Sequence, residues 1–209
     1  MTPAQRQRIR DRHRDALLRH GWHPNALYWS TTTVQETCFA VLAEAGLQAG
    51  DRLLDVGCGF GDLAAFLRRQ GHDIDYTGID LSPDLIAAGH ERYPGLDLRE
   101  GDVFDIDPPP QSYDAVMLSG SLNEALNDDG DYARRCIRRM FDSSRRVLAF
   151  NLLDARNDWI ASRPDLQSFQ PQAMLEFCQT FAAHSELREG YLNNNFTLFL
   201  YRQPPTADA

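Results

Sequence analysis

A chain of 209 residues with ordinary apolar content, no fixed-period repeat and no low-complexity block fits a single α/β domain that can bury a full core. Its formal net charge of −9, with arginine as its only basic residue besides histidine, works against binding a phosphate backbone, so nucleic acid is not an expected partner. No apolar run approaches the roughly 18 residues of a membrane span, and Cys38, Cys58, Cys136 and Cys178 lie too far apart for a zinc site or disulfide framework, so a reduced, cytoplasmic, metal-free protein is the expectation.

In chain order, residues 4–19 read as a helix bearing Arg6, Arg8, Arg10, Arg12, Arg14 and Arg19. Ile9, Leu17 and Leu18 give it only a thin apolar stripe, so it reads as a largely solvated face, with binding of an anionic ligand the lesser reading. The segment is too rich in arginine for a secretory signal, and Asp11 and Asp15 count against a transit peptide. An aromatic connection follows, with Trp22, Tyr28 and Trp29, and then a helix over about 32–46. Strands and helices then alternate: strand 52–57, helix 61–70, strand 74–80, helix 83–92, strands 96–100 and 113–119, helix 129–141, strand 145–153, helix 171–183. Residues 185–192 and 196–202 flank Asn193-Asn194-Asn195 and read as an antiparallel hairpin. This alternation predicts a mostly parallel sheet with helices on both faces and a terminal antiparallel hairpin. The expected organisation is one domain: a helical cap at 1–46, a core at 47–202 and a frayed tail at 203–209.

Residues 53–63, Leu-Leu-Asp-Val-Gly-Cys-Gly-Phe-Gly-Asp-Leu, carry the most information. An apolar strand ends in an acid, and Gly57, Gly59 and Gly61 follow at alternate positions before a helix. Glycines allow a sharp turn and a close backbone approach by a ligand, and the helix start offers free N–H groups. Asp55 would repel a pyrophosphate but suits a ligand carrying an ammonium or sulfonium group. Counting Gly-x-Gly-x-x-Gly from Gly57 puts Asp62 where a dinucleotide turn needs glycine, which disfavours a nicotinamide cofactor. A second strand, 76–80, ends in Asp80, nineteen residues past Gly61, where a carboxylate can accept from both ribose hydroxyls.

Together these segments resemble the Rossmann-like (class I) methyltransferases that use S-adenosylmethionine. Asp55 through Gly61 resembles the family's first motif and 76–82 its second. Arg99-Glu100-Gly101-Asp102-Val103 resembles the third, and 113–120 the fourth, in the family's order. The resemblance implies a seven-stranded Rossmann-like sheet. It implies that Asp55, Gly57, Cys58, Gly59 and Gly61 surround the methionine part of the cofactor and that Asp80 holds the ribose. Leu81 would pack on the adenine, Gly101, Asp102 and Val103 would read its edge, and Ser119 or Gly120 would accept from the amino-acid ammonium. The implied activity is transfer of a methyl group to a small-molecule acceptor by in-line displacement, without metal; a non-catalytic module that binds the same cofactor is the alternative.

Displacement at a methyl can be mostly positioning, so a dedicated catalytic residue is not required. Candidates for a base or orienting group are His23, Asn123 and Glu124, with His20, Asn151 and Asp154 behind them. For His20 and His23 a capping or packing role is the stronger reading. Ser119-Gly120-Ser121-Leu122-Asn123-Glu124 stands where amino-directed enzymes of the family carry Asn/Asp-Pro-Pro-Tyr, and the acid of metal-dependent catechol-type members is missing. Trp22, Tyr28, Trp29, Trp159 and Phe169 could close over an apolar pocket, although plain packing is the commoner use of such residues.

Overall fold

The computed structural model describes residues 1–204, so most of the expected tail, 205–209, lies outside the described residues. The chain enters through α1 (Pro3–His20), started by a capping box in which Thr2 and Gln5 satisfy each other's backbone N–H groups and by Pro3 at its first position. A short 3-10 turn, Pro24–Leu27, leads to α2 (Thr32–Ala43), capped by the Thr31 hydroxyl. From there the elements are β1 (Asp51–Val56), α3 (Asp62–Arg69), β2 (Ile74–Asp80), α4 (Pro83–Arg92), β3 (Asp97–Glu100), α5 (Val103–Ile106) and β4 (Tyr113–Leu118). Then come α6 (Asp131–Ser143), β5 (Ser144–Leu153), α7 (Asp158–Ala161), α8 (Pro171–Gln179), β6 (His184–Arg188) and β7 (Asn195–Tyr201).

The seven strands form one sheet in the order β3-β2-β1-β4-β5-β7-β6. Pairings from β3 through β5 are parallel, while β7 runs antiparallel to both β5 and β6. Strand order reverses between β1 and β4, the place where open α/β sheets bind ligands beyond their carboxyl ends. Alternation along each strand feeds two cores. Leu54, Val116, Leu118, Leu148 and Phe150 face α6 and α8, whereas Leu53, Ala115, Met117, Val147 and Ala149 face α2 and α3. The three apolar residues of α6 that pack deepest, Ile137, Met140 and Cys136, follow its helical spacing.

Two findings depart from the sequence reading. α2 stops at Ala43 rather than 46, and α8 at Gln179 rather than 183. The Gly46 backbone turns to φ +74° behind the first, and the Thr180 hydroxyl donates to the Phe177 carbonyl behind the second. The larger difference is α1, which is a solvated helix but also a strap. Arg10 donates to the Leu81 carbonyl at 3.0 Å and pairs with Glu100 at 2.7 Å. Arg6 pairs with Asp102 and with Asp105, and Arg8 and Arg12 both pair with Glu124. Only Ala16 of this helix is fully buried, and partly exposed ion pairs contribute less than about 1 kcal/mol each. The strap is therefore a locally weak element across the carboxyl edge of the sheet.

Candidate functional site

β1 delivers the chain to the glycine turn. Gly57, Gly59 and Gly61 all have positive φ, at +74°, +56° and +87°. A Cβ at position 57 would lie 1.9 Å from the Ser121 hydroxyl oxygen, and one at 59 would meet Leu27 at 2.9 Å. Gly61 serves a different end: as the residue before α3 it lets the helix settle on Leu96, 2.6 Å from where its Cβ would be. The turn is tied to β2 by Gly57 and Cys58 N–H groups donating to the Ile79 carbonyl.

Asp80 organises the turn. One carboxylate oxygen accepts from the Gly59 N–H at 2.9 Å and the other from the Ser82 N–H at 2.8 Å. Each oxygen keeps a further lone pair, so two hydroxyls of a diol can still be received. Asp55 is buried and accepts from the Tyr76 hydroxyl at 2.6 Å. Burial pushes its carboxyl up to about 7, with Asp80 and Asp62 adding to the rise and the Tyr76 bond opposing it.

Asp102, expected at the adenine edge, caps the four-residue helix α5. One oxygen accepts from the Phe104 and Asp105 N–H groups, the other from the Tyr132 hydroxyl at 2.7 Å and from Arg6. A carboxylate has about four lone-pair positions, and all are taken. An adenine amino group can reach Asp102 only by displacing a donor, and Arg6 is the one carried by the strap. At the end of β4, the Gly120 N–H donates to Asn151 at 2.9 Å, and the Asn151 amide donates to the Ser119 hydroxyl at 3.1 Å. Trp29 lies against Gly120, 2.3 Å from where a Cβ would stand.

Two spaces open on these residues. The larger, about 840 Å³, is walled by Leu81, Gly101, Asp102 and Val103 on one side and by the 121–127 and 159–167 segments on another. The smaller, about 40 Å³, is enclosed by Asp55, Cys58, Gly59 and Ser119, with Gln35 from α2. Gly57, Asp80, Gly120, Ser121, Leu27, Trp29 and His13 face both. Of the twelve cofactor positions expected from sequence, all but Gly61 thus line one space or the other.

A nucleoside joined to a charged amino acid fits this division. The glycine cradle leaves backbone bare, Asp80 keeps two acceptor positions, and the small space ends on a buried acid suited to an ammonium group. An acid whose folded pKa lies above its unfolded 3.8 holds its proton more tightly when folded. Stability from Asp55 is therefore greatest below about pH 4, falls as pH rises to about 7, and is level above. A bound ammonium reverses the preference by favouring the ionised carboxylate. Affinity for S-adenosylhomocysteine is expected to rise roughly tenfold from pH 6 to pH 8, following the ionised fraction of a group titrating near 7, and Asp55→Asn to flatten that rise. An equal slope in Asp55→Asn would place the titrating group elsewhere.

The expected catalytic candidates fall in unlike places. His23 is exposed, and its Nδ1 accepts from the Asn25 N–H, capping the 3-10 turn. Glu124 lines the large cavity, but both its oxygens are engaged by Arg8 and Arg12. Asn123 donates to the Gly120 carbonyl at 3.2 Å, while its Oδ1 is buried without a partner among the described residues. Asp154 is bound to Arg156, and Asn151 acts on the β4 end rather than on the cavity. Tyr28, Trp29 and Trp159 do line the cavity, whereas Phe169 is core and Trp22 lies outside under Arg92. His13, Gln35, Arg6 and Tyr132 carry no sequence signal for the site: each reaches it from a helix whose placement only the fold determines. Among the described residues no group of three or more His, Cys, Asp or Glu is arranged to hold a metal ion, and no helix is long and apolar enough to cross a membrane.

The chain is similar to known proteins in sequence and in fold. Residues 53–149 match the family described as "Methyltransferase domain". The chain is 32% identical over 130 residues to "Putative methyltransferase Rv1506c" of Mycobacterium tuberculosis, covering 60% of this chain and 76% of that one. It is 29% identical over 102 residues to a trans-aconitate 2-methyltransferase of the same species, where the match spans 49% of this chain and only 38% of the relative. A SAM-dependent methyltransferase from Aquifex aeolicus has the same fold, with a TM-score of 0.61, 14% identity and coverage of 97% and 100% of the two chains. The chain belongs to the class I S-adenosylmethionine-dependent methyltransferases.

Proposed function

We propose that the protein transfers a methyl group from S-adenosylmethionine to a small-molecule acceptor by in-line displacement. The observation that carries this reading is the pair of spaces meeting at the glycine turn, one small and polar, the other large and part apolar. Asp55 and Gln35 would hold the methionine end over Gly57 and Gly59, and Asp80 the ribose. Leu81 and Val103 would flank the adenine, with Asp102 taking its amino group once Arg6 withdraws. When bound, the cofactor supplies an electrophilic methyl; the chain's own residues orient the partners and exclude water. The cap of residues 1–46 closes this site over the core of 47–202.

The remainder of the large cavity, with Ile9, Val34, Leu122, Trp159 and Ile160 in its walls, suits an acceptor with an apolar body. The name of the trans-aconitate relative supports a small organic molecule over a macromolecule. Incubation with S-adenosylmethionine and a panel of small alcohols, phenols, amines and carboxylic acids is expected to yield S-adenosylhomocysteine in step with a methylated product. Tight cofactor binding with no turnover across that panel, but turnover on a protein or nucleic acid, would contradict the small-molecule assignment.

A further inference from the structure

His13 has two uses for its ring in this structure. Its Nδ1 lies 3.0 Å from the Ile9 carbonyl oxygen, one helical turn back. A carbonyl can only accept, so Nδ1 carries the hydrogen and the neutral ring keeps a bare, basic Nε2. The ring meets Tyr28 edge-on, with centroids 5.5 Å apart, which fixes its plane, and Tyr28 is itself anchored through its hydroxyl to the Arg12 carbonyl at 3.0 Å. His13 is one of the few residues facing both the large and the small space, and only it and Asp80 among them carry a titratable side chain. The lone pairs that the Gly59 and Ser82 N–H groups leave free on Asp80 are the ones placed on the ribose hydroxyls above, which leaves His13 for the proton. The other charged groups around this junction are Arg8 and Arg12, both paired with Glu124, and the buried Asp55 across the small space.

From this geometry we propose that His13 is the proton acceptor of the transfer and that the acceptor is a molecule whose attacking atom carries a proton, a hydroxyl or an amine, rather than a preformed carboxylate. This rests on the cofactor placement proposed above, which sets the reacting methyl where the two spaces join. The acceptor heteroatom forms its bond to the methyl carbon while the carbon–sulfur bond breaks, and the sulfur keeps that electron pair as a neutral thioether. The heteroatom's proton passes to His13 Nε2, and the imidazolium returns it to water. A carboxylate is already ionised at neutral pH and would leave a base there without work. Nothing in the 4–19 segment marks His13 in the sequence; position 13 acquires its neighbours only when α1 crosses the sheet edge.

Long-range nitrogen NMR on the full chain, with and without S-adenosylhomocysteine, reads the ring directly. The expected result is the Nδ1–H form, with the Nε2 resonance displaced when the ligand binds. His13→Gln, which retains size and polarity, is expected to keep affinity for S-adenosylhomocysteine within about twofold. Its kcat with alcohol, phenol or amine substrates should drop on the order of 100-fold or more. An Nε2–H ring, an Nε2 resonance indifferent to the ligand, or turnover confined to carboxylic acids such as trans-aconitate and unchanged in His13→Gln would overturn the proposal. Absence of S-adenosylhomocysteine binding in the unmodified protein is a different failure, because it removes the cofactor placement itself.

Discussion

Gly57→Ala is expected to weaken S-adenosylhomocysteine binding by on the order of 100-fold, close to 3 kcal/mol, while leaving a folded protein. The backbone there sits at φ +74°, where an L-residue costs roughly 1–2 kcal/mol. The new methyl would also stand 1.9 Å from the Ser121 hydroxyl oxygen and 2.7 Å from its Cβ, so the loop after β4 must lift. That loop forms the wall between the two spaces, and moving it disturbs both ends of the cofactor site at once. Gly71 separates the two effects. Its φ is +86°, but nothing lies within 4 Å of an added Cβ. Gly71→Ala should therefore lose about 1–2 kcal/mol of stability with unchanged affinity. Titration calorimetry on both variants, with circular dichroism as the folding check, decides the matter; equal affinity losses would mean that backbone strain, not ligand approach, explains Gly57.

The second large effect is expected at Asp80. Asp80→Ala should weaken cofactor affinity by about 1–3 kcal/mol, the range for losing hydrogen bonds to a charged group. Stability should fall by a similar 1–3 kcal/mol, since the Gly59 and Ser82 N–H groups lose their acceptor. Asp80→Asn retains one carboxamide oxygen and should recover part of the stability but less of the affinity, because its amide nitrogen cannot accept from a ribose hydroxyl. Urea unfolding and ligand titration on the two variants give the four numbers needed. Full affinity in Asp80→Ala would displace the ribose from β2.

The strands and glycine turn were legible because they depend on local pattern. β1, β2 and β4 are short, nearly continuously buried runs between turn residues, and Ser82-Pro83 starts α4 with the Ser82 hydroxyl accepting from the Leu85 N–H. Asp55, Asp80 and Asp102, the acids proposed to meet the cofactor, could be picked out for the same reason, since each stands at or just past a strand end. What the pattern could not carry was the roof. Arg6, Arg8, Arg10 and Arg12 find Asp102, Glu124, Glu100 and the Leu81 carbonyl across seventy or more residues of chain. A helix with one buried residue gives almost no hydrophobic signal for that docking. His13 was invisible for this reason, and Gln35 because a polar residue on the buried face of α2 gives no sign of the space it faces, while His23 stood out by its neighbours and caps a turn. α5 and α7 escaped detection because four residues are too few for a helical period.

S-adenosylmethionine is proposed to occupy the spaces around Gly57 and Asp80. Thermal unfolding with S-adenosylhomocysteine, against a parallel sample with NAD, tests it most directly. At about a hundred times its dissociation constant a ligand adds roughly 2.7 kcal/mol, which for a chain of this size raises Tm by about 5–10 °C. A rise of that order with S-adenosylhomocysteine and none with NAD is the predicted result. A rise with NAD alone, or with neither, would contradict it.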